Sequence, residues 1–423
     1  DKYWHNLAGA NHQHEPPELH QQISPNVTKP RMQTSARRVM AIPELLDMVT
    51  HELDGKDLCM LMYVSKSFFN ATGPLIWKRV PRLEVIMSLL DGVQAHRKVW
   101  DGGRLTITLP PKLDFGRYNI YAYWVQALHI DGANVNSLKI INLDSFARLL
   151  GGRSPLPNLR QLTASAFNRL NESLRDVINL FMSPLLVEIR VVLPQDRRRV
   201  RKRWGGRVPS SYDPEFLEKL KMRCPDIETI EFYLDRNYAP GHDWFTHCTP
   251  NDRIRTTLSS FTNLRSFSSS VHILEPAVIG VIGELPHLES LGIQGMPWPS
   301  SVLDPQLSIP ETWFPVLKHL QLRRIPDKDI QTLWRQSPIV RKLVSLVIQA
   351  DVESSYTRNW VSPFLKALPG LSPCLEDVIF SVHVAGWSQS VEIPRYHWDI
   401  FKGETLATAV VAYQNAVSEG RIA

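Results

Sequence analysis

The sequence predicts an α/β chain in two parts: a small trihelical module near the front, then a solenoid of parallel strands with helices on its convex side. Two observations carry this expectation. A dense apolar stretch fills residues 42–80, and one short phrase recurs eight times between residues 156 and 381.

The front module reads as three short helices. Pro43 suits a first helical position, where its missing N–H has no intrahelical partner to lose. Leu45, Leu46, Val49 and Leu53 then recur at helical steps. The first helix is expected to stop at Asp54-Gly55, with Asp54 capping a second helix through Leu58, Leu61 and Met62. Val64 and Phe68 open a third stripe, which Gly73-Pro74 is expected to break before a last short one through Leu75, Ile76, Trp77 and Val80. A unit of about 40 residues sits at the limit of independent stability. Its apolar stripes are wider than so small a core absorbs. Either some of Pro43, Leu45, Leu46, Val49 and Leu58 face another protein, or all of them pack against the rest of the chain.

Behind the module, LPNLRQLTAS (156–165), SPLLVEIRVV (183–192), CPDIETIEFY (224–233), FTNLRSFSSS (261–270), LPHLESLGIQ (285–294), FPVLKHLQLR (314–323), VRKLVSLVIQ (340–349) and SPCLEDVIFS (372–381) share one template. An apolar residue is followed by a second three positions on and usually a third five on. YWVQALHID at 123–131 is a weaker copy. The leading residues Leu159, Leu186, Ile227, Leu264, Leu288, Leu317, Leu343 and Leu375 lie 24 to 41 residues apart. Returning segments read as amphipathic helices, with Leu174, Val177, Ile178 and Phe181 on one and Phe216, Leu217 and Leu220 on another. A strand followed each time by a helix implies a parallel sheet. Leu406, Ala409, Val410, Tyr413 and Val417 predict a capping helix over 404–423, while residues 1–38, rich in His, Gln, Asn and Pro, are expected to be disordered.

Period-two alternation turns the residues between the apolar positions outward: Glu188, Arg190, Thr229, Glu231, Tyr233, His319, Gln321, Arg323, Ser345 and Gln349. Concave repeat surfaces are common binding platforms, and Tyr and Arg are frequent hot-spot residues. Glu231, Tyr233, His319, Gln321 and Arg323 are therefore the candidates for contact with a target protein.

Ile42-Pro43-Glu44-Leu45-Leu46, Leu53, Asp57-Leu58, Val64-Ser65-Lys66 and Trp77 stand in the order and approximate spacing of the F-box, which residues 39–80 resemble. The repeated phrase over 81–403 resembles the strand half of a leucine-rich repeat, although the repeat asparagine is mostly missing. Together they resemble F-box proteins with irregular leucine-rich repeats, particularly those of basidiomycete fungi. The resemblance implies that Pro43, Glu44, Leu45, Leu46, Val49, Leu53 and Leu58 contact a Skp-type adaptor and, through it, a cullin. The repeats would hold an unknown target, as in the substrate-receptor subunit of a Skp/cullin/F-box ubiquitin ligase. Thr50 stands where that family commonly has a large apolar residue, which implies weaker adaptor affinity. The other reading is an interaction scaffold without a ubiquitin role, its helical front capping the first repeat.

Composition bounds these readings. Of 423 residues, 43% are hydrophobic and 21% charged, the balance of a folded chain. No apolar run approaches the roughly 18 residues that cross a bilayer, and residues 1–30 lack a signal-peptide core. The chain opens at Asp1 rather than Met, so its natural N-terminus is expected upstream. Scattered single cysteines fit a reducing compartment, cytoplasmic or nuclear. Net charge is +6, but Arg190 to Arg207 holds eight basic residues against Asp196, leaving the remainder near −1. The core of that run, RRRVRKRW at 197–204, reads as a nuclear signal or an exposed insertion, and without interleaved aromatics it argues against nucleic acid. GHDWFTHC at 241–248 lacks a second ligand pair at zinc spacing, and no phosphate-loop, nucleophile-elbow, zincin or dinucleotide motif occurs. The expectation is a binding protein without cofactor or catalytic residues.

Overall fold

The computed structural model describes residues 42–98, 104–131, 138–165, 172–192, 214–232, 252–295, 303–304, 306–352, 360–384, 390–392 and 396–397. The disordered front, the basic run 197–204, the cluster 241–248, Tyr233 and the capping helix 404–423 all lie outside these residues. The chain divides into two compact units: residues 1–131 with 139–161, and residues 132–138 with 162–423.

Unit 1 begins with α1 (Pro43–His51), α2 (Gly55–Leu61) and α3 (Lys66–Trp77). Pro43 lies at the start of α1 as its fixed φ favours. Asp54 caps α2 by accepting from the Lys56 and Asp57 amides at 2.8 and 2.9 Å, and Ser65 caps α3 by accepting from Phe68 at 3.3 Å. α3 runs straight through Gly73-Pro74, where the sequence predicts a break. The carbonyl that Pro74 leaves unpaired belongs to exposed Asn70, where water can take it. Gly73 lies under the Trp124 ring, and a Cβ there would collide with it. The glycine serves close packing rather than a turn.

α3 leads into β1 (Arg79–Val80), α4 (Leu83–Met87), β2 (Gln94–Lys98), β3 (Arg104–Thr108), α5 (Gly116–Ala122) and β4 (Ala127–Asp131). β1 pairs parallel with β4 through Arg79↔Ala127, so the weak copy at 123–131 does form a strand. β2 and β3 form an antiparallel hairpin that the repeat template does not announce, extended by β5 (Leu138–Ile141). α6 (Leu143–Leu150) follows. Buried Tyr118 donates its hydroxyl to the Pro155 carbonyl at 3.0 Å, and burial pushes its phenol well above its usual range, so it stays a neutral donor.

Unit 2 is built on β6 (Gln161–Ser165), β7 (Glu188–Val192), β8 (Thr229–Phe232), β9 (Ser266–Ser270), β10 (Ser290–Gln294), β11 (His319–Pro326), β12 (Ser345–Val352) and β13 (Asp377–Val384). All eight template phrases thus yield strands. They neighbour one another in chain order, and each strand from β7 to β13 pairs parallel with the next. Strictly sequential order with right-handed crossovers puts every connecting helix on the same face. That leaves the opposite face of the sheet free of helices among the described residues, as in a leucine-rich-repeat-like solenoid. The leading residues Leu159, Leu186, Ile227, Leu264, Leu288, Leu317, Leu343 and Leu375 are all buried. β14 (Ser390–Glu392) and β15 (Tyr396–His397) turn back antiparallel along β13.

α7 (Glu172–Phe181) precedes β7, α8 (Pro214–Arg223) precedes β8, α9 (Asp252–Ser259) precedes β9, and α10 (Pro276–Gly283) precedes β10. α11 (Asp327–Trp334) and α12 (Ser337–Val340) precede β12, and α13 (Val361–Leu371) precedes β13. Their predicted faces are buried, including Leu174, Val177, Ile178, Phe181, Phe216, Leu217 and Leu220. In the step from β10 to β11 the described residues, 303–304 and 306–318, carry no helix. Trp313 packs there on the small side of α10, 3.1 Å from where Gly280 would place a Cβ and 2.9 Å from where Gly283 would. Gln336 anchors the same segment, donating to the Leu307 carbonyl at 2.7 Å and accepting from the Ile309 amide at 3.0 Å. Asp329, fully buried, accepts from the Leu303 amide at 3.3 Å. Gln336→Ala removes both Gln336 hydrogen bonds to the segment and is expected to cost about 2 kcal/mol, read as a lowered urea midpoint.

Candidate functional site

Two surfaces carry the candidate residues, one in each unit. In the front module Leu46, Thr50, Leu58, Met62 and Trp77 are buried. Thr50 satisfies its hydroxyl within α1 by donating to the Asp47 carbonyl at 2.9 Å. Leu46 and Leu58 therefore position the helices instead of presenting themselves outward. Leu53 is half-buried, and Glu44, Leu45 and Val49 are exposed. Pro43 is placed by its backbone alone, at the start of α1.

The exposed apolar surface of the module is larger than the seven expected residues. Met48 is 66% exposed, Met60 65%, and Tyr63 and Val64 64% each. Leu45, Met48 and Val49 stand at steps of three and four and share one face of α1, while Leu46 and Thr50 form the stripe beside it that turns inward. The spacing itself carries this signal. Taking Leu45 and Leu46 as a single stripe conceals it.

In unit 2 the strand register sorts the open face into rows. The first row aligns Glu188, Thr229, Ser266, Ser290, His319, Ser345 and Asp377, and the next aligns Arg190, Glu231, Ser268, Gly292, Gln321 and Val347. A third aligns Ser270, Gln294, Arg323 and Gln349. The alternate residues Ile189, Ile230, Phe267, Leu320, Leu322, Leu346 and Ile348 are buried. The expected outward positions that are described lie in these rows, with His319 and Gln321 half-buried and Arg323 exposed; Tyr233 lies outside the described residues. Glu231 lies three strands away from these, roughly 14 Å at the usual strand spacing.

Charge is distributed unevenly over this face. Arg190 bonds Glu188 at 2.7 Å and faces Glu231 at 3.5 Å, so one guanidinium serves two carboxylates. Arg323 instead meets the neutral Gln321 oxygen at 3.4 Å. Along one end of the strands, the residues following the leading positions alternate in sign. Arg265 lies 3.9 Å from Glu228 and 2.6 Å from Glu289, and Lys318 lies 3.8 Å from Glu289. These exposed pairs contribute little to stability but favour the observed neighbour order.

Among the described residues no group of three His, Cys, Asp or Glu is placed to hold a metal, and no helix is long and apolar enough to cross a membrane. Burial pushes the Cys224 thiol up to about 11, which makes it a packing residue at neutral pH.

No protein-family model and no curated protein matches the chain. Among solved structures it is similar to the leucine-rich repeat-containing protein LegL7 from Legionella pneumophila, at 12% identity and a TM-score of 0.32, over 72% of this chain and 88% of that one.

Proposed function

We propose that this chain is a substrate receptor that joins a Skp-type adaptor, and through it a cullin, to a target protein held on the open face of unit 2. One observation carries the reading. The front helices close their own core around Leu46, Leu58, Met62 and Trp77, yet leave Met48, Met60, Tyr63 and Val64 about two-thirds exposed. Exposed apolar side chains clustered on so short a segment favour a protein partner. The order of Pro43, Leu45, Leu46, Leu58 and Trp77 supports the F-box as the type of module. In this role the chain catalyses nothing itself and works by raising the effective concentration of its target near the transferring subunits.

The test is co-expression with a Skp-type adaptor and recovery of the complex. Leu45→Asp with Met60→Asp changes two exposed positions, so capture is expected to fall by about a hundredfold or more while the melting temperature holds. Capture of the adaptor by the double variant at parental levels refutes the proposed surface. A second reading, a scaffold without a ubiquitin role, draws on a different observation. α3 is built into unit 1 through Gly73 under Trp124 and Trp77 against Tyr121 at 4.5 Å, as a packed cap would be. Failure of the parent chain to bind any Skp-type adaptor favours it.

A further inference from the structure

The open face of unit 2 has a low middle and two tall sides. In the first two outward rows, β9 and β10 contribute only Ser266, Ser268, Ser290 and Gly292, and the Ser268 hydroxyl occupies the space a Cβ on Gly292 would need. No side chain there rises above a hydroxyl. On one side stand Glu188, Arg190 and Glu231, and on the other His319, Gln321 and Arg323. Walls roughly 14 Å apart leave room for one extended segment of polypeptide.

The two walls differ in electrostatic character. Glu188 and Glu231 share the single guanidinium of Arg190, so that wall keeps an acidic character. On the opposite wall neither Arg323 nor His319 forms an ion pair with a carboxylate among the described residues. The register neighbours of Arg323 on β10 and β12 are Gln294 and Gln349. Neutral amides flank the guanidinium without neutralising it; Gln294 donates one hydrogen to the Gly295 carbonyl at 3.2 Å and keeps its second for an anion. The same row begins at Ser270, whose hydroxyl is buried and has no hydrogen-bond partner among the described residues. An exposed guanidinium with no carboxylate partner among the described residues, set between amide groups, suits a carboxylate, which it can hold through two parallel bonds.

We propose that this trough binds an extended acidic segment of the target protein, with a glutamate or aspartate side chain seated on Arg323 between Gln294 and Gln349. The proposal rests on the open face being the target surface and is independent of the adaptor. A chain that captures adaptor normally can still fail this test, and the reverse also holds.

The experiment is fluorescence anisotropy on the full chain with a fluorescein-labelled peptide of alternating glutamate and serine. Saturable binding is expected, weakened by salt and absent for the counterpart with glutamine in place of glutamate. Arg323→Gln is expected to weaken it about tenfold or more at unchanged melting temperature, in line with loss of a charge-assisted pair. Glu231→Gln, which removes a like charge from the acidic wall, is expected to tighten binding of the acidic peptide. Three results overturn the proposal: no saturation by the acidic peptide, equal binding of the glutamine peptide, or an unchanged affinity in Arg323→Gln. Binding of a phosphoserine peptide where the glutamate peptide is silent also overturns it and reassigns the trough to phosphorylated segments.

Discussion

Gly295→Ala is expected to destabilise unit 2 by about 3 kcal/mol or more, a large effect for a single added methyl group. Gly295 follows the last residue of β10 and donates its amide to the Arg323 carbonyl at 2.7 Å. The register between β11 and β12 then slips, because Arg323 pairs with Gln349 but Ile325 with Ala350. Arg324 is the extra residue, held at a φ of 57°, and this bulge swings its carbonyl over Gly295 into the space a Cβ would fill. Both colliding groups are backbone, so no rotamer change relieves the clash. Either the amide bond at 295 or the bulge must give way. Urea denaturation should show a lower midpoint, and hydrogen exchange should locate the loss at β10 and β11. A midpoint equal to the parent's would mean that the bulge relaxes freely.

Trp77→Ala is expected to cost unit 1 about 3–5 kcal/mol, the usual range for deleting a buried aromatic side chain. Trp77 is 2% exposed and its ring lies 4.5 Å from that of Tyr121. Tyr121 in turn meets Phe69 at 6.0 Å and Trp124 at 5.5 Å, and Phe69 meets Trp124 at 5.3 Å. Removing one member leaves a cavity among rings that cannot collapse together, because α3 and α5 are fixed at both ends. Near-ultraviolet circular dichroism should weaken and the denaturation midpoint should fall. A signal and midpoint like the parent's would show that α3 is held elsewhere.

Elements whose signal is local are legible in the sequence. Each template phrase forms a strand because a leading leucine or isoleucine and alternation of period two lie within ten residues, most of them followed by a returning helix. The same alternation is enough by itself to place His319, Gln321 and Arg323 on the open face. Features that depend on distant partners are hidden. Gly73-Pro74 looks like a helix stop until Trp124 lies over it, and the hairpin strand Gln94–Lys98 is too polar to announce itself. Among the described residues before β11, Trp313 fits the small face of α10, a match between two separate segments. The low middle of the open face appears only when the register sets Ser266 beside Ser290 and Ser268 beside Gly292.

The two short strands that turn back along β13 also bear on how the protein behaves at high concentration. A sheet built by adding parallel strands one after another ends in an unpaired backbone ladder, to which a second molecule can attach its own strand. Here Ser390–Glu392 covers Ser381 to His383 and Tyr396–His397 covers Asp377 and Val378, so the ladder is already occupied. Among the described residues, the edge beyond β13 is only three and two residues long and runs in the opposite sense. A second molecule adding its strand to β13 would first have to displace them, which disfavours stacking into filaments.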